Sequence, residues 1–197
     1  MIIRGDTEMA EARITILCID DDRQTARLIA EELAERGFEV VIARDGHEGF
    51  IAILKGLPDL VLCDIGLPDM SGFDLLERLN KLSPGLGRVP FVFVTALTGR
   101  KNKQRAQRLG ADDYITKPFG FEMLEVTIKA RLARASSSET WPKPAMLSDS
   151  EAAAVTCVAD GKTSTQIAEV LGLGERQVDL LLGNARAKLR RNGEKKG

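Results

Sequence analysis

The chain has no apolar run approaching the ~18 residues that a membrane-crossing helix needs. It also lacks a dominant charge: 28 Lys and Arg stand against 29 Asp and Glu, leaving a net −1. A general electrostatic grip on nucleic acid or on an anionic membrane is therefore not expected of the whole molecule. Cysteines are few, namely Cys18, Cys63 and Cys157, far apart inside apolar runs and with no CxxC spacing. They read as buried free thiols, and a cytoplasmic, reducing location is expected. His47 is the only histidine; it lies in a helix-start pattern, ARDGHEGF, and reads as a surface residue rather than a catalytic one. The N-terminal MIIRGDTEMAEAR has no long apolar core, so it is not expected to act as a signal peptide; residues 1–12 read as a flexible tail.

What is present is ordinary globular composition, 44% apolar and 29% charged over 197 residues, enough for one or two domains. From about residue 13 to 134, five short apolar runs alternate with helical patterns. The runs are ITILCI (14–19), FEVVIA (38–43), DLVLC (59–63), FVFVT (91–95) and DYITK (113–117). They are rich in β-branched residues and mostly apolar without alternation, as strands buried on both faces are. Helices are expected over 23–36, closed by Gly37, and over roughly 47–55, 73–81, 100–109 and 121–134. Five such βα units in succession imply a parallel sheet with helices on both faces.

The composition then changes. ASSSETWPKPAM (135–146) carries three serines and two prolines and reads as a linker. Beyond it the pattern is all helical. Ser148 to Glu151 and Thr163 to Gln166 each match a capping box. Gly161 and Gly172 close two short helices, and GERQVDLLLGNARAKLRR (174–191) supplies a longer third. Short helix, glycine turn and longer helix make a helix-turn-helix pattern. Its expected small core is Val155, Val158, Ile167, Val170, Leu171, Val178, Leu182 and Leu189. Of the run Leu180, Leu181 and Leu182, at least one is expected to face outward, because the run is wider than a core-facing stripe needs.

Sites in open parallel sheets form beyond the carboxyl ends of the strands. Here the first strand ends in Asp20, Asp21 and Asp22, the third in Asp64, the fourth in Thr95 and the fifth in Lys117. Carboxylates, a hydroxyl and an ammonium would share one pocket. Clustered carboxylates repel unless a cation joins them, and Mg²⁺ suits oxygen ligands of this kind. A carboxylate there can attack a phosphoryl group and become an acyl phosphate. Asp64, central and followed by the loop DIGLPDMSG, is the expected nucleophile. Asp22 reads as a helix N-cap, Asp69 as a solvated turn residue, and Asp112 and Asp113 as strand starters.

The motifs ILCIDDD, VLCDIGLPDMSG, VFVTA and ADDYITKPF stand in the order and at the spacings of a known family. Residues 13–134 resemble the receiver domain of two-component response regulators. The resemblance implies a flavodoxin-like, doubly wound, five-stranded parallel sheet. It implies phosphorylation of Asp64 by a sensor histidine kinase. It implies Mg²⁺ held by Asp20, Asp21, Asp64 and the Gly66 carbonyl. Thr95, with Ala96 beside it, and Lys117 would bind the phosphoryl oxygens, and Tyr114 occupies the family's aromatic switch position. Phosphatases of the haloacid dehalogenase type place a second Asp two residues after the nucleophile. Gly66 stands there, so turnover of outside substrates is not expected; the chain would not be an enzyme beyond slow self-dephosphorylation.

Residues 147–197 resemble the LuxR-type DNA-binding domain, a small all-α unit, through Leu147, Glu151, Gly161, Thr163, Ile167, Ala168, Leu171, Gly172, Val178, Lys188 and Leu189. The whole resembles a LuxR-type response regulator that dimerises on phosphorylation and binds double-stranded DNA. Several positions depart from the family. Gly174 replaces a Ser or Thr cap, Gln177 a Thr and Leu181 a frequent His; Asp179 stands where Lys is common, and Gly183 interrupts the helix. From 146 to 197 there are eight Lys and Arg against seven Asp and Glu. Six of the bases (Arg186, Lys188, Arg190, Arg191, Lys195 and Lys196) fall in the last dozen residues. Candidate DNA contacts are Arg176, Gln177, Asn184, Arg186, Lys188, Arg190 and Arg191. The late cations suit a phosphate grip, and equally a solvated helix end favoured by the macrodipole. The alternative function is a signalling adaptor whose terminal helices bind protein, including a second copy of the chain.

Overall fold

A computed structural model describes residues 13–56, 58–82, 89–137 and 147–191. The expected tail 1–12 and most of the expected linker lie outside the described residues. Five strands, β1 (Thr15–Ile19), β2 (Glu39–Ala43), β3 (Leu60–Cys63), β4 (Phe91–Thr95) and β5 (Asp113–Thr116), form one sheet in the order β2-β1-β3-β4-β5. Every pairing is parallel. The intervening helices are α1 (Arg23–Glu35), α2 (Gly46–Leu54), α3 (Gly72–Leu82), α4 (Arg100–Arg108) and α5 (Phe121–Ser137).

Alternate residues of each inner strand feed opposite layers, as a period of two requires. Ile16, Cys18, Leu60, Leu62, Val92 and Val94 join a core with Ile29 and Leu33 of α1 and Leu124 and Ile128 of α5. Leu17, Ile19, Val61, Cys63, Phe91 and Phe93 join the other core with Phe50 of α2 and Phe73, Leu75 and Leu79 of α3. This is why β1, β3 and β4 read as unbroken apolar runs. The edge strand β2 departs from that expectation. It has one neighbour, and only Ala43 of its five residues is buried. All three cysteines are buried and free.

α5 runs to Ser137, three residues into the expected linker. Three helices follow: α6 (Asp149–Ala159), α7 (Ser164–Leu171) and α8 (Glu175–Arg191). Both capping boxes form: Ser148 with Glu151, and Thr163 with Gln166. Gly172 turns the chain between α7 and α8 at φ 63°, where a side chain would be strained. Val155, Ile167, Val178, Leu182 and Leu189 are buried as expected, joined by Leu147, Ala152, Ala154, Cys157, Ala168 and Ala185. Two expected core residues are not in the core: Val158 is 38% exposed and Val170 60% exposed. The apolar pattern alone does not separate them from the inner stripe, because Val is apolar on either side of so short a helix. Leu180 is the outward leucine of its run, 65% exposed.

The three helices do not stand apart from the sheet. α6 lies along α2, and buried residues of both belong to one continuous apolar cluster. Lys55 Nζ, just past the end of α2, is 2.5 Å from Asp149 at the start of α6. His47, in the first turn of α2, meets Asp160, just past the end of α6. The two helices therefore run antiparallel. Among the described residues no helix is long and apolar enough to cross a membrane.

Candidate functional site

Strand register assembles the site. Ile19 is level with Cys63, so the next residues, Asp20 and Asp64, emerge side by side from β1 and β3. Thr95 is level with Thr116, which sets Lys117 beside the end of β4. Strand order reverses between β1 and β3, the point at which open α/β sheets leave a crevice. Ligand oxygens of Asp20, Asp21 and Asp64 lie within 4.8 Å of one another.

Lys117 lies between two of them. Its Nζ donates to Asp20 Oδ2 at 2.6 Å and to Asp64 Oδ2 at 2.8 Å. The other oxygen of Asp64 accepts from the backbone N–H groups of Ile65 at 2.5 Å and Gly66 at 3.1 Å. Asp20 is buried to 2% exposure, Asp64 and Lys117 are mostly covered, and Asp21 is exposed. These surroundings set how each group titrates. Burial pushes Asp20 above the usual carboxylate value, with Lys117 opposing. Burial also works upward on Asp64, but hydrogen bonds from Lys117, Thr95 and the Gly66 N–H outweigh it and hold Asp64 below its ordinary value. Burial pulls Lys117 down, while the bonds to Asp20 and Asp64 outweigh that and raise it. Asp64 is thus an ionised carboxylate braced by an ammonium, a hydroxyl and two amides.

Gly72 sets the closeness of this packing. A Cβ there would strike the backbone carbonyl of Asp64, with Cys63 Sγ and the Ile65 backbone also too near. Only glycine lets α3 begin so close beneath the loop. The Lys117–Pro118 peptide is cis. Tyr114 is half-buried against Phe93, and its hydroxyl donates to the Leu97 carbonyl at 2.6 Å; Ala96, next to Thr95, is exposed. Burial, then the Asp64 charge, raises the Tyr114 phenol.

Two carboxylates do more than expected. Asp69 is exposed at a bend, as expected, and is also tied to α2. Its carboxylate accepts from the Gly46 N–H at 2.8 Å and the His47 N–H at 2.9 Å, capping α2 from a different segment. Asp112 does more than begin a strand: its Oδ2 accepts from the Phe91 N–H at 2.8 Å, tying the start of β4. Neither tie is legible in sequence, because both acceptors find donors about twenty residues away in the chain. Asp113 pairs with Arg131 at 2.7 Å. Asp22 caps α1 as expected, accepting from the Gln24 N–H at 3.0 Å.

Among the described residues, the candidate contacts of α8 divide between exposed side chains and one engaged with α6. Arg176, Gln177, Asn184 and Arg186 are exposed, and Gln177 also caps the Gly174 N–H at 2.9 Å. Lys188 turns inward and donates to Glu151 at 2.6 Å. Arg190 and Arg191 lie on the last turn, with side chains outside the described residues, as are Lys195 and Lys196. Glu175 accepts from the Thr165 hydroxyl at 2.6 Å and Asp179 from the Ser164 hydroxyl at 3.4 Å, so the acids of α8 face the start of α7.

Fold and pocket together define a flavodoxin-like receiver, with the acidic cluster at the strand switch point. The chain belongs to the response regulator receiver domain family, whose model matches residues 16–129. It is 36% identical over 135 residues to the transcriptional regulatory protein KdpE of Mycobacterium tuberculosis, covering 68% of this chain and 58% of that one. It is 41% identical over 121 residues to the transcriptional regulatory protein DltR of Streptococcus agalactiae, covering 61% and 53%. Among solved structures it resembles a CheY-like receiver domain protein from Methanospirillum hungatei, at 35% identity and a TM-score of 0.59, covering 64% of this chain and 98% of that one. The chain spans only a little over half the length of the curated relatives it matches. α6, α7 and α8 lie beyond the family match.

Proposed function

We propose that this chain is a response regulator in which Asp64 accepts a phosphoryl group from a sensor histidine kinase and thereby controls the terminal helices. The observation that carries the reading is Lys117, whose ammonium stands within hydrogen-bond reach of both Asp20 and Asp64. A carboxylate oxygen of Asp64 attacks phosphorus while the bond from phosphorus to the donor nitrogen breaks. The imidazole leaves with that electron pair and takes a proton from water. Lys117 and the Thr95 hydroxyl are placed to hold the phosphoryl oxygens. Slow attack of water on the same phosphorus returns the carboxylate and releases phosphate, the one turnover the pocket is fitted for. Asp20, Asp21 and Asp64 with the Gly66 carbonyl offer only hard oxygen donors, a set that fits Mg²⁺. The ion when bound would neutralise charge on the transferring oxygens. Asp64→Asn tests the reading. With Mg²⁺ and acetyl phosphate the wild type should gain one phosphoryl in intact mass and the variant none; equal gain in both rejects Asp64.

For the output we infer a LuxR-type helix-turn-helix domain at 147–197 that binds DNA as a phosphorylation-favoured dimer and so regulates transcription. The paired capping boxes, the glycine turn before α8 and relatives named as transcriptional regulatory proteins support it. A protein-binding adaptor is the second reading. Leu180, exposed on the outer face of α8, favours it, as do the acids Glu175 and Asp179 where phosphates would approach.

A further inference from the structure

Asp160 gathers three partners where α6 leaves the sheet's helical layer. Its Oδ1 accepts from Arg78 of α3 at 2.7 Å. Its Oδ2 is 3.2 Å from His47 Nε2 of α2 and 3.3 Å from Lys162. Arg78 and His47 belong to the receiver, whereas Asp160 and Lys162 belong to the terminal helices. The carboxylate is only 18% exposed. Burial works to raise it, but the Arg78 bond, with His47 and Lys162, outweighs burial and keeps it below its ordinary value. It is therefore charged at neutral pH and committed to this contact.

His47 is also tied to the phosphoacceptor loop. Asp69, five residues after Asp64, accepts the His47 backbone N–H and lies 3.7 Å from His47 Nδ1. A side chain at Gly46 would collide with Met70 and crowd Asp69, so the loop presses directly on the start of α2. At its other end the loop hangs on Asp64, whose Oδ1 holds the Ile65 and Gly66 amides. Phosphorylation would convert that carboxylate to an acyl phosphate. One of its oxygens would then bond to phosphorus, and the charged acceptor of those amides would be weakened. A chain of contacts thus runs from Asp64 through the loop and Asp69 to His47, and from His47 to Asp160.

We propose that Asp160, Arg78 and His47 form a latch that holds the terminal helices on the receiver, and that Asp69 couples it to Asp64 so that phosphorylation and docking oppose each other. This route runs through α2 and is separate from Thr95 and Tyr114. It rests on the reading of Asp64 as the phosphoacceptor. The latch is closed while Asp64 is a free carboxylate, so docking and the unmodified pocket favour one another; by linkage, loosening one must loosen the other.

The test uses the full chain. Amide hydrogen exchange is followed in α2 and α6 with and without Mg²⁺ and beryllofluoride, alongside phosphorylation by acetyl phosphate followed by intact mass. In the wild type, beryllofluoride should speed exchange in α6 and the start of α2. Asp160→Asn and Arg78→Gln should show that faster exchange without beryllofluoride. At limiting acetyl phosphate both should reach a higher phosphorylated fraction, with the equilibrium shifted about fivefold or more. Unchanged exchange in β1 and β3 certifies that each variant is folded. Wild-type protection of α6 in both variants, or a phosphorylated wild type with unaltered exchange, overturns the coupling alone. A wild type that takes no phosphoryl overturns the Asp64 reading and this inference with it.

Discussion

Lys188 reaches from α8 to Glu151 at the start of α6, its Nζ 2.6 Å from the carboxylate, and joins the first and last helices of the terminal unit. Glu151 is buried and also accepts from the Ser148 N–H at 2.7 Å, as the reciprocal half of the capping box. Burial works upward on this carboxyl, but Lys188 and the Ser148 amide outweigh it and hold Glu151 below its ordinary value. A depressed carboxyl contributes stability that is present above the unfolded value and lost as pH falls through the folded one. Glu151→Gln keeps the shape and removes the charge. It should cost the terminal helices about 1–3 kcal/mol at pH 7. The cost should shrink as pH falls below the usual glutamate value. Urea unfolding followed by helix ellipticity at pH 7 and in mild acid checks both the size and the sign.

Lys117 braces both Asp20 and Asp64 with its single positive charge. Lys117→Ala leaves two covered carboxylates facing each other, at a cost of about 3 kcal/mol in chelated buffer. Mg²⁺ should restore more stability to this variant than it adds to the wild type, because it replaces the missing charge. Equal Mg²⁺ effects on the two melting curves would count against a shared carboxylate site. The raised Lys117 value gives a second sign. Its contribution is present below the ordinary lysine range and is lost as pH rises through the higher folded value.

Two glycines should respond in opposite directions. Gly72→Ala places a methyl against the backbone carbonyl of Asp64, which cannot swing aside as a flexible side chain would. Destabilisation of about 1–3 kcal/mol is expected, with slower phosphorylation because the loop must shift. Gly183, in an exposed stretch of α8, has no atom within 4 Å of a new Cβ. Gly183→Ala should stabilise by about 1 kcal/mol through helix propensity. Denaturant midpoints of the two variants decide the matter.

The sheet and its pocket were legible because their signals are local. Apolar runs such as LVLC and FVFVT are bounded by the very residues that form the site, and register needs only that consecutive βα units wind one way. Asp22, Ser148 and Thr163 announced their helices within a few residues. What was not legible depends on distant partners. The exposed Asp69 carboxylate finds its donors at the start of α2, and His47 of α2, Arg78 of α3 and Asp160 just past α6 meet although no sequence pattern brings them together. Val158 and Val170 misled for the converse reason, being apolar side chains that stay partly (Val158) or mostly (Val170) open to solvent.

If α8 reads DNA, its grip should be modest. Lys188 is engaged with Glu151, so Lys188→Gln should act through stability more than through phosphate binding. Arg186 is exposed on the same helix, and Arg176 and Asn184 stand on its outer side. Neutralising Arg176 and Arg186 together should flatten the log–log dependence of affinity on salt by about 0.9 for each phosphate that is no longer neutralised. Asp179 sits near the start of α7, where its charge repels phosphate. Asp179→Lys should tighten binding to any sequence, by removing repulsion and adding a cation. Fluorescence anisotropy with duplex DNA across salt, on the beryllofluoride-treated chain, measures all of these. Affinity that ignores both changes, or no binding even at low salt, would turn the reading toward a protein partner. Leu180→Asp should then abolish that partner's binding while leaving the fold intact, since Leu180 lies outside the core.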